Sequence, residues 1–533
     1  MVLALELLVV LGATLLLGQM ISRRLHVAPP VVLLTLGALL GFVPTLRQAH
    51  LPPEAVLLLF LPALLYWESL TTSLRGIRRD LRGIVLMSTA LVVASAAAVA
   101  ATAHALGLAW GPAWVLGAAV APTDATAVGV FARALPRRNL TLLRAESLVN
   151  DGTALVVYGL AVGITTGEEH LSFGHVSWLI VLSYAGGIAA GALVAWAGVV
   201  VRRRVNTDPL LANLTVMLTP FTAYLLAELI DASGVLAVVV AGLVMSQAGP
   251  RLAGAATRQQ TEQFWSLATF LLNGALFVLV GIQAQAAVRT LHGTDLTRAL
   301  AAVGAVSAVV VAVRFAFLFT MPYLIRLVDR RPAQRERRVA YRSRIVTSMC
   351  GFRGAISMAL ALSVPAALDD GAPFPDRSAI VFVTSGVIVI TLVVQGLLLP
   401  GVVRWARLPS DTATGEERLL AEATATEEAD RALEETAARL GTDPQITERT
   451  RREYESHLHV VHAGGSEQAA DEQADILRQD RQYTDLRLAL LERKRATVLR
   501  LRDEQTIDDT VLVQVQRRLD IEEMRLTGHA SAE

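Results

Sequence analysis

Glu68, Asp124, Glu146, Asp151, Arg314 and Arg353 each fall inside a stretch otherwise apolar enough to cross a membrane. A charge at such depth is costly, and where one persists it is paired with another or marks a path for ions. Asp151 closes the run Glu146-Ser147-Leu148-Val149-Asn150-Asp151-Gly152. On a helix, Ser147, Asn150 and Asp151 stand at i, i+3 and i+4, so one face offers a hydroxyl, an amide carbonyl and a carboxylate. An all-oxygen set of this kind suits a hard cation. Asp124 follows Pro122 in Ala121-Pro122-Thr123-Asp124, where the proline frees backbone carbonyls that are tolerated only beside a cavity or an ion. Gly351 and Gly354 flank Arg353 and loosen a second segment in the same way. Desolvation strengthens a carboxylate's hold on its proton, and a neighbouring cation weakens it. One carboxylate so placed holds either a proton or a metal ion, and that competition is the core of an exchanger.

Each residue also has a blander reading. A buried Glu146–Arg353 pair locks helices together, and for these two the structural role is favoured. Asp151 has no spare partner in the sequence and is read as the working acid. Asp124 reads as a site acid or as a cap on a helix break. Glu68 lies near the loop carrying Arg75, and Arg314 either snorkels, pairs, or joins the site. Asp231 and Glu228 lie near a segment end and read as interfacial.

The elements that position these residues are long apolar segments. A spanning helix takes ~20 mostly apolar residues. On that basis the chain predicts thirteen spans, at 2–21, 30–46, 54–71, 83–107, 112–132, 143–166, 175–201, 209–230, 233–249, 264–288, 299–325, 345–366 and 378–404. The first run lacks a basic leader and is followed by Arg23 and Arg24, so it reads as a retained span. Composition agrees: of 533 residues 53% are hydrophobic, concentrated before Arg407. The expected fold is an all-α polytopic membrane protein, with a transmembrane domain at 1–406 and a helical cytoplasmic tail at 407–533.

Arginine accumulates in alternate loops: Arg23 and Arg24, then Arg75 to Arg82, Arg133 to Arg144, Arg202 to Arg204, Arg251 and Arg258, and a dense set from Arg326 to Arg344. The other loops are poor in arginine and often acidic, as at Glu168, Glu169, Asp369, Asp370 and Asp376. By the positive-inside rule the N-terminus lies outside and the tail in the cytoplasm. The tail predicts helices at 415–440, 447–462, 467–504 and 508–526 with Leu486, Leu488, Leu491, Val498 and Leu501 at helical spacing. It carries no catalytic or nucleotide motif. The net charge of +1 gives no reason to expect a nucleic acid partner, and Cys350, the one cysteine, has no partner for a disulfide or a cysteine metal site.

Taken together, Ala121-Pro122-Thr123-Asp124, Glu146 to Gly152, Gly351-Phe352-Arg353-Gly354-Ala355 and Val393-Val394-Gln395-Gly396 resemble the monovalent cation:proton antiporters related to animal sodium/hydrogen exchangers. The resemblance covers 1–406. It implies two inverted repeats with two discontinuous helices, a core domain moving against a dimerisation domain, and a homodimer in the plasma (inner) membrane. It implies that Asp151 is the shared cation and proton site, supported by Thr123, Asp124, Ser147 and Asn150, with Glu146 paired to Arg353. Asn150 before Asp151 implies electroneutral exchange. One departure stands out. The family's third span places its acid directly after an aromatic residue, whereas here Trp67 intervenes between Tyr66 and Glu68. A shift of one residue turns a helical side chain by about 100°.

The expected activity is exchange of Na+, or Li+, for H+ in pH and sodium homeostasis, with no cofactor and no enzymatic step. Potassium/proton antiport by the same machinery is the nearest alternative. A membrane sensor that no longer transports is disfavoured by the intact Asp124, Asn150 and Asp151. A solute symporter is disfavoured by the few aromatic or hydrogen-bonding side chains near those acids.

Overall fold

The computed structural model describes residues 2–25, 27–43, 56–124, 135, 137–167, 173–205, 208–252, 254–290, 294–328, 340–365, 367–368, 372–408, 413–464, 471–504, 506 and 509–530. Among them there are helices and no strand, only an isolated bridge between Ala367 and Pro373. The chain divides into two compact units, Met1–Ser410 and Asp411–Glu533.

The first unit opens with α1 (Val2–Leu25), α2 (Pro29–Leu40) and α3 (Leu61–Thr71), the last entered through a π-helical turn at Val56–Phe60. Then come α4 (Leu74–Val85), a π turn (Leu86–Ala90), α5 (Leu91–Ala105) and α6 (Trp110–Val120). The long helices α7 (Arg137–Thr166), α8 (Phe173–Val205), α9 (Pro209–Glu228), α10 (Gly234–Leu252), α11 (Ala255–Thr290) and α12 (Thr294–Val328) follow. The unit ends with α13 (Tyr341–Met349), α14 (Ala355–Leu362), α15 (Arg377–Ile390), a third π turn (Thr391–Gln395) and α16 (Gly396–Ala406).

Among the described residues, eight helices are long and apolar enough to cross a membrane, and four apolar helices are shorter. The twelfth predicted span is a broken one, α13 and α14, and the fifth stops after α6 at Pro122. Proline has no N–H to continue the ladder, and its ring crowds the carbonyl four residues back. The rest of that predicted span, 125–132, lies outside the described residues, as do Glu168, Glu169, Asp369, Asp370, Arg133 and the arginine-rich stretch 330–338.

Packing sorts the helices. One buried cluster joins α5, α6, α7, α12, α14 and α15 through small residues such as Ala96, Ala118, Ala154 and Ala361. A second joins α3, α8, α9, α10 and α11 through Tyr66, Ala195, Ala223, Ala241 and Trp265. A third joins α1, α2, α11, α13 and α15. In lipid, helices associate by close packing, and small side chains let their backbones approach. Leu148 on α7 packs into the second cluster, so α7 lies where the first two meet.

The second unit holds α17 (Ala413–Arg431), α18 (Leu433–Leu440), α19 (Pro444–Gly464), α20 (Asp471–Asp503) and α21 (Asp509–Ala530). The predicted helix 415–440 is interrupted at Ala432. Helices α20 and α21 form a hairpin sealed by buried Leu491, Leu512 and Leu519 and laced by Arg487–Glu522 at 2.7 Å and Lys494–Glu522 at 3.1 Å.

Candidate functional site

The stretch that follows α6 crosses the break between α13 and α14. The Asp124 backbone N–H donates to the Phe352 carbonyl at 2.9 Å. Arg353, 1% exposed, donates from Nε to the Val120 carbonyl at 2.7 Å and from Nη1 to the Gly351 carbonyl at 2.6 Å. Val120 ends α6 and Gly351 lies just past α13, so one guanidinium serves carbonyls at two helix C-termini. Those ends carry partial negative charge, and a cation there is stabilising. The Arg353 backbone N–H donates to Thr391 Oγ1 at 3.3 Å, at the start of the third π turn. Gly354 lies against Asp124 so closely that a Cβ there would collide with the carboxylate. Asp124 thus faces the N-terminus of α14, where unpaired N–H groups favour an anion.

Glu146 does not pair with Arg353 as the sequence led us to expect. Its carboxylate is gripped by Arg314 from α12: Nη1 binds Oε1, and Nη2 binds Oε2 at 3.1 Å. Both side chains are buried, and Arg314 also donates to the Thr347 carbonyl at the end of α13. The physical reason is local. Arg353 lies in the break, where free carbonyls take its donors, while Arg314 projects from an unbroken helix with a planar fork that matches a carboxylate. Arg314, a secondary candidate in the sequence, is therefore the residue that neutralises Glu146.

Asn150 is also placed differently from the expected face. Its Nδ2 donates to Thr123 Oγ1 at 2.7 Å, and Thr123 Oγ1 donates to Glu146 Oε1 at 3.2 Å. Asn150 therefore ties α7 to the break after α6, on the side occupied by Glu146, Arg314 and Arg353. Ser147 and Asp151, one helical turn apart, line a different space.

That space is a cavity of about 40 Å³, enough for a water or a desolvated ion. Its walls carry Glu68, Thr123, Asp124, Ser147 and Asp151, with Asn273 of α11 and Ser357 of α14. Glu68 reaches it alongside Leu64 and Leu65, so the one-residue departure in α3 does not take the acid away. Asp151 is 3% exposed, and among the described residues its Oδ1 has no hydrogen-bond partner. A buried acceptor in that state is expensive unless something else fills its coordination. Among the described residues no three His, Cys, Asp or Glu side chains draw together as a metal cluster. The acids ring the cavity with neutral oxygens between them. Such a ring accommodates a monovalent cation or a proton on a carboxylate. Asn273 and Ser357 escaped the sequence reading because neither is charged; the only signal for Ser357 was its position four residues after Arg353.

Comparison with known proteins gives a family and a fold. The model of the family described as sodium/hydrogen exchanger, transmembrane, matches residues 10–405. The chain is 44% identical over 535 aligned positions to an uncharacterised Na+/H+ exchanger of Mycobacterium tuberculosis, covering all of this chain and 98% of that one. It is 28% identical to a sodium, potassium, lithium and rubidium/H+ antiporter of Bacillus subtilis, over 72% of this chain and 59% of that one. Its fold is similar to that of a sodium proton antiporter from Methanocaldococcus jannaschii, with a TM-score of 0.58 and 18% identity over 75% of this chain and 99% of that one.

Proposed function

The chain belongs to the sodium/hydrogen exchanger family, and from that premise we propose that it exchanges Na+ for H+ as a secondary active antiporter. The observation that carries the reading is Asp151: a buried carboxylate with an unsatisfied oxygen on a cavity walled by other oxygens. Protonated, Asp151 is neutral and the cavity holds no cation. Deprotonated, it takes Na+ together with Glu68, Asp124 and Ser147, in a cavity that Thr123 also lines; the Thr123 hydroxyl is already committed to Asn150 and Glu146. Asn150 positions the break and does not touch the ion. Glu146 is neutralised by Arg314 and takes no part in the proton count. Exchange of one cation for one proton at Asp151 is electroneutral.

The same reading gives a homodimer in the plasma membrane, its N-terminus outside and its tail in the cytoplasm, with thirteen crossings in two inverted repeats. Its work is pH and sodium homeostasis. The two interruptions fall in the fifth and twelfth of the predicted spans, which this reading takes as corresponding places in the two repeats. Lithium, small and hard, shares the site. Potassium is the second reading, favoured by the similarity to an antiporter named for sodium, potassium, lithium and rubidium. Proteoliposomes loaded with a pH dye and challenged with sodium, lithium or potassium test it. Proton efflux driven by sodium and lithium supports the proposal, and a response that is the same with or without any of these cations refutes it.

A further inference from the structure

Inside a helix, a serine hydroxyl ordinarily donates to the carbonyl four residues back. Ser69, Ser88 and Ser385 do so in this protein, at 2.6, 2.8 and 2.7 Å. Ser357 has no such option. Helix α14 starts at Ala355, so the carbonyl four residues before Ser357 belongs to Arg353, in the break. The hydroxyl does not cap the helix either, because the N-cap is Gly354. Ser357 is 1% exposed, and its Oγ makes no hydrogen bond among the described residues. Yet it lines the same cavity as Asp151, whose Oδ1 is equally unsatisfied. Two buried oxygens therefore share one small space without bonding to each other.

We infer that Ser357 is a direct ligand of the transported cation, an inference that rests on the antiport reading and names a further member of its site. A hard cation bridging two oxygens at about 2.4 Å from each spans a gap that a hydrogen bond cannot. It would satisfy Ser357 and Asp151 together. A proton on Asp151 leaves Ser357 as it is. The hydroxyl thus favours the cation-loaded state over the protonated one and biases the competition at Asp151 toward cation. The helix break that crosses the other at Asp124 is what releases this hydroxyl from its backbone, so the discontinuity supplies a side-chain ligand as well as free backbone groups.

The test compares Ser357→Ala, Ser357→Cys and Ser357→Thr with the wild type in sodium-driven proton flux, alongside thermal stabilisation of each detergent-solubilised protein by sodium. Alanine removes the ligand. Cysteine keeps the shape but offers a soft sulfur that suits a hard cation poorly. Threonine keeps the hydroxyl. Losing one contact to a charged partner predicts an apparent sodium KM raised about tenfold for alanine and cysteine. Their maximal rates stay within about twofold, and threonine stays near the wild type. Sodium should stabilise the alanine and cysteine proteins less than the wild type. A sodium KM and a sodium-dependent stabilisation unchanged in both would overturn the assignment while leaving antiport intact. Absence of sodium-driven flux in the wild type would instead overturn the antiport reading itself.

Discussion

Glu146 and Asp151 are acids on the same helix, about one and a half turns apart, and their surroundings give them opposite tasks. Glu146 is held by a two-point contact to Arg314 and a hydroxyl from Thr123. Removing one member of such a buried pair strands the other, at a cost of ~3–5 kcal/mol. Glu146→Gln should therefore lower the melting temperature in detergent sharply. Arg314→Gln added to it should recover part of the loss, whereas Arg353→Gln should not. Equal rescue by both, or rescue by Arg353→Gln alone, would contradict the pairing. The sequence favoured a paired role for Glu146, because arginines also lay in apolar segments. It could not show which arginine, since that depends on how each helix is rotated and on the carbonyls that Arg353 finds in the break. The same limit applied to Asn150: i, i+3, i+4 spacing put it on a face with Ser147 and Asp151, but that arc is wide enough to face two different spaces.

At the scale of elements, the site is made by two interruptions that meet. Pro122 and the Gly351–Gly354 pair were legible as breaks because proline and glycine act on the backbone locally. Their crossing was not legible, since the Asp124 N–H to Phe352 carbonyl bond joins segments far apart in the chain. Gly354 is the point of closest approach. Alanine there would press on the Asp124 carboxylate, and overpacking of this kind costs about 1–3 kcal/mol. Gly354→Ala should lose most of its exchange while still inserting into the membrane, as read by flux per reconstituted protein. Flux equal to the wild type would mean that the contact is slack. The shorter apolar helices α2, α3 and α6 also explain why a count based on ~20-residue runs reads more uniformly than the helices themselves: some predicted spans have only about half that length in helix among the described residues.

At the scale of the whole molecule, every residue of the proposed site lies in the unit ending at Ser410. Truncation there should leave exchange measurable in a folded, inserted protein and alter its pH profile or expression; complete loss of flux would make the tail part of the engine. Within the tail, Lys494, with Arg487 adding to it, holds the Glu522 carboxyl below its ordinary range. A carboxyl so depressed stabilises the fold above its unfolded value, and that contribution disappears as pH falls through the folded value. Hydrogen exchange in α20 and α21 of the full chain should accordingly rise as the pH is taken below the carboxylate range, after correction for the intrinsic rate, and Glu522→Gln should weaken that dependence while the Arg495 pairs with Asp520 and Glu523 keep the rest. A hairpin equally protected across this range in the wild type would contradict it. One-for-one exchange also predicts that a potassium diffusion potential set with valinomycin leaves the rate unchanged at fixed ion gradients; a clear change would require more than one proton per cation.

The proposed exchange turns on a single carboxylate that holds either a proton or a cation. The most direct measurement is sodium-driven proton flux in proteoliposomes of wild type and Asp151→Asn at matched protein content, with insertion checked for both. Asparagine keeps the size and polarity of the side chain but cannot titrate. The wild type should move protons against sodium, and Asp151→Asn should move none above empty liposomes. Appreciable exchange by Asp151→Asn would place the shared site elsewhere and contradict the account at its centre.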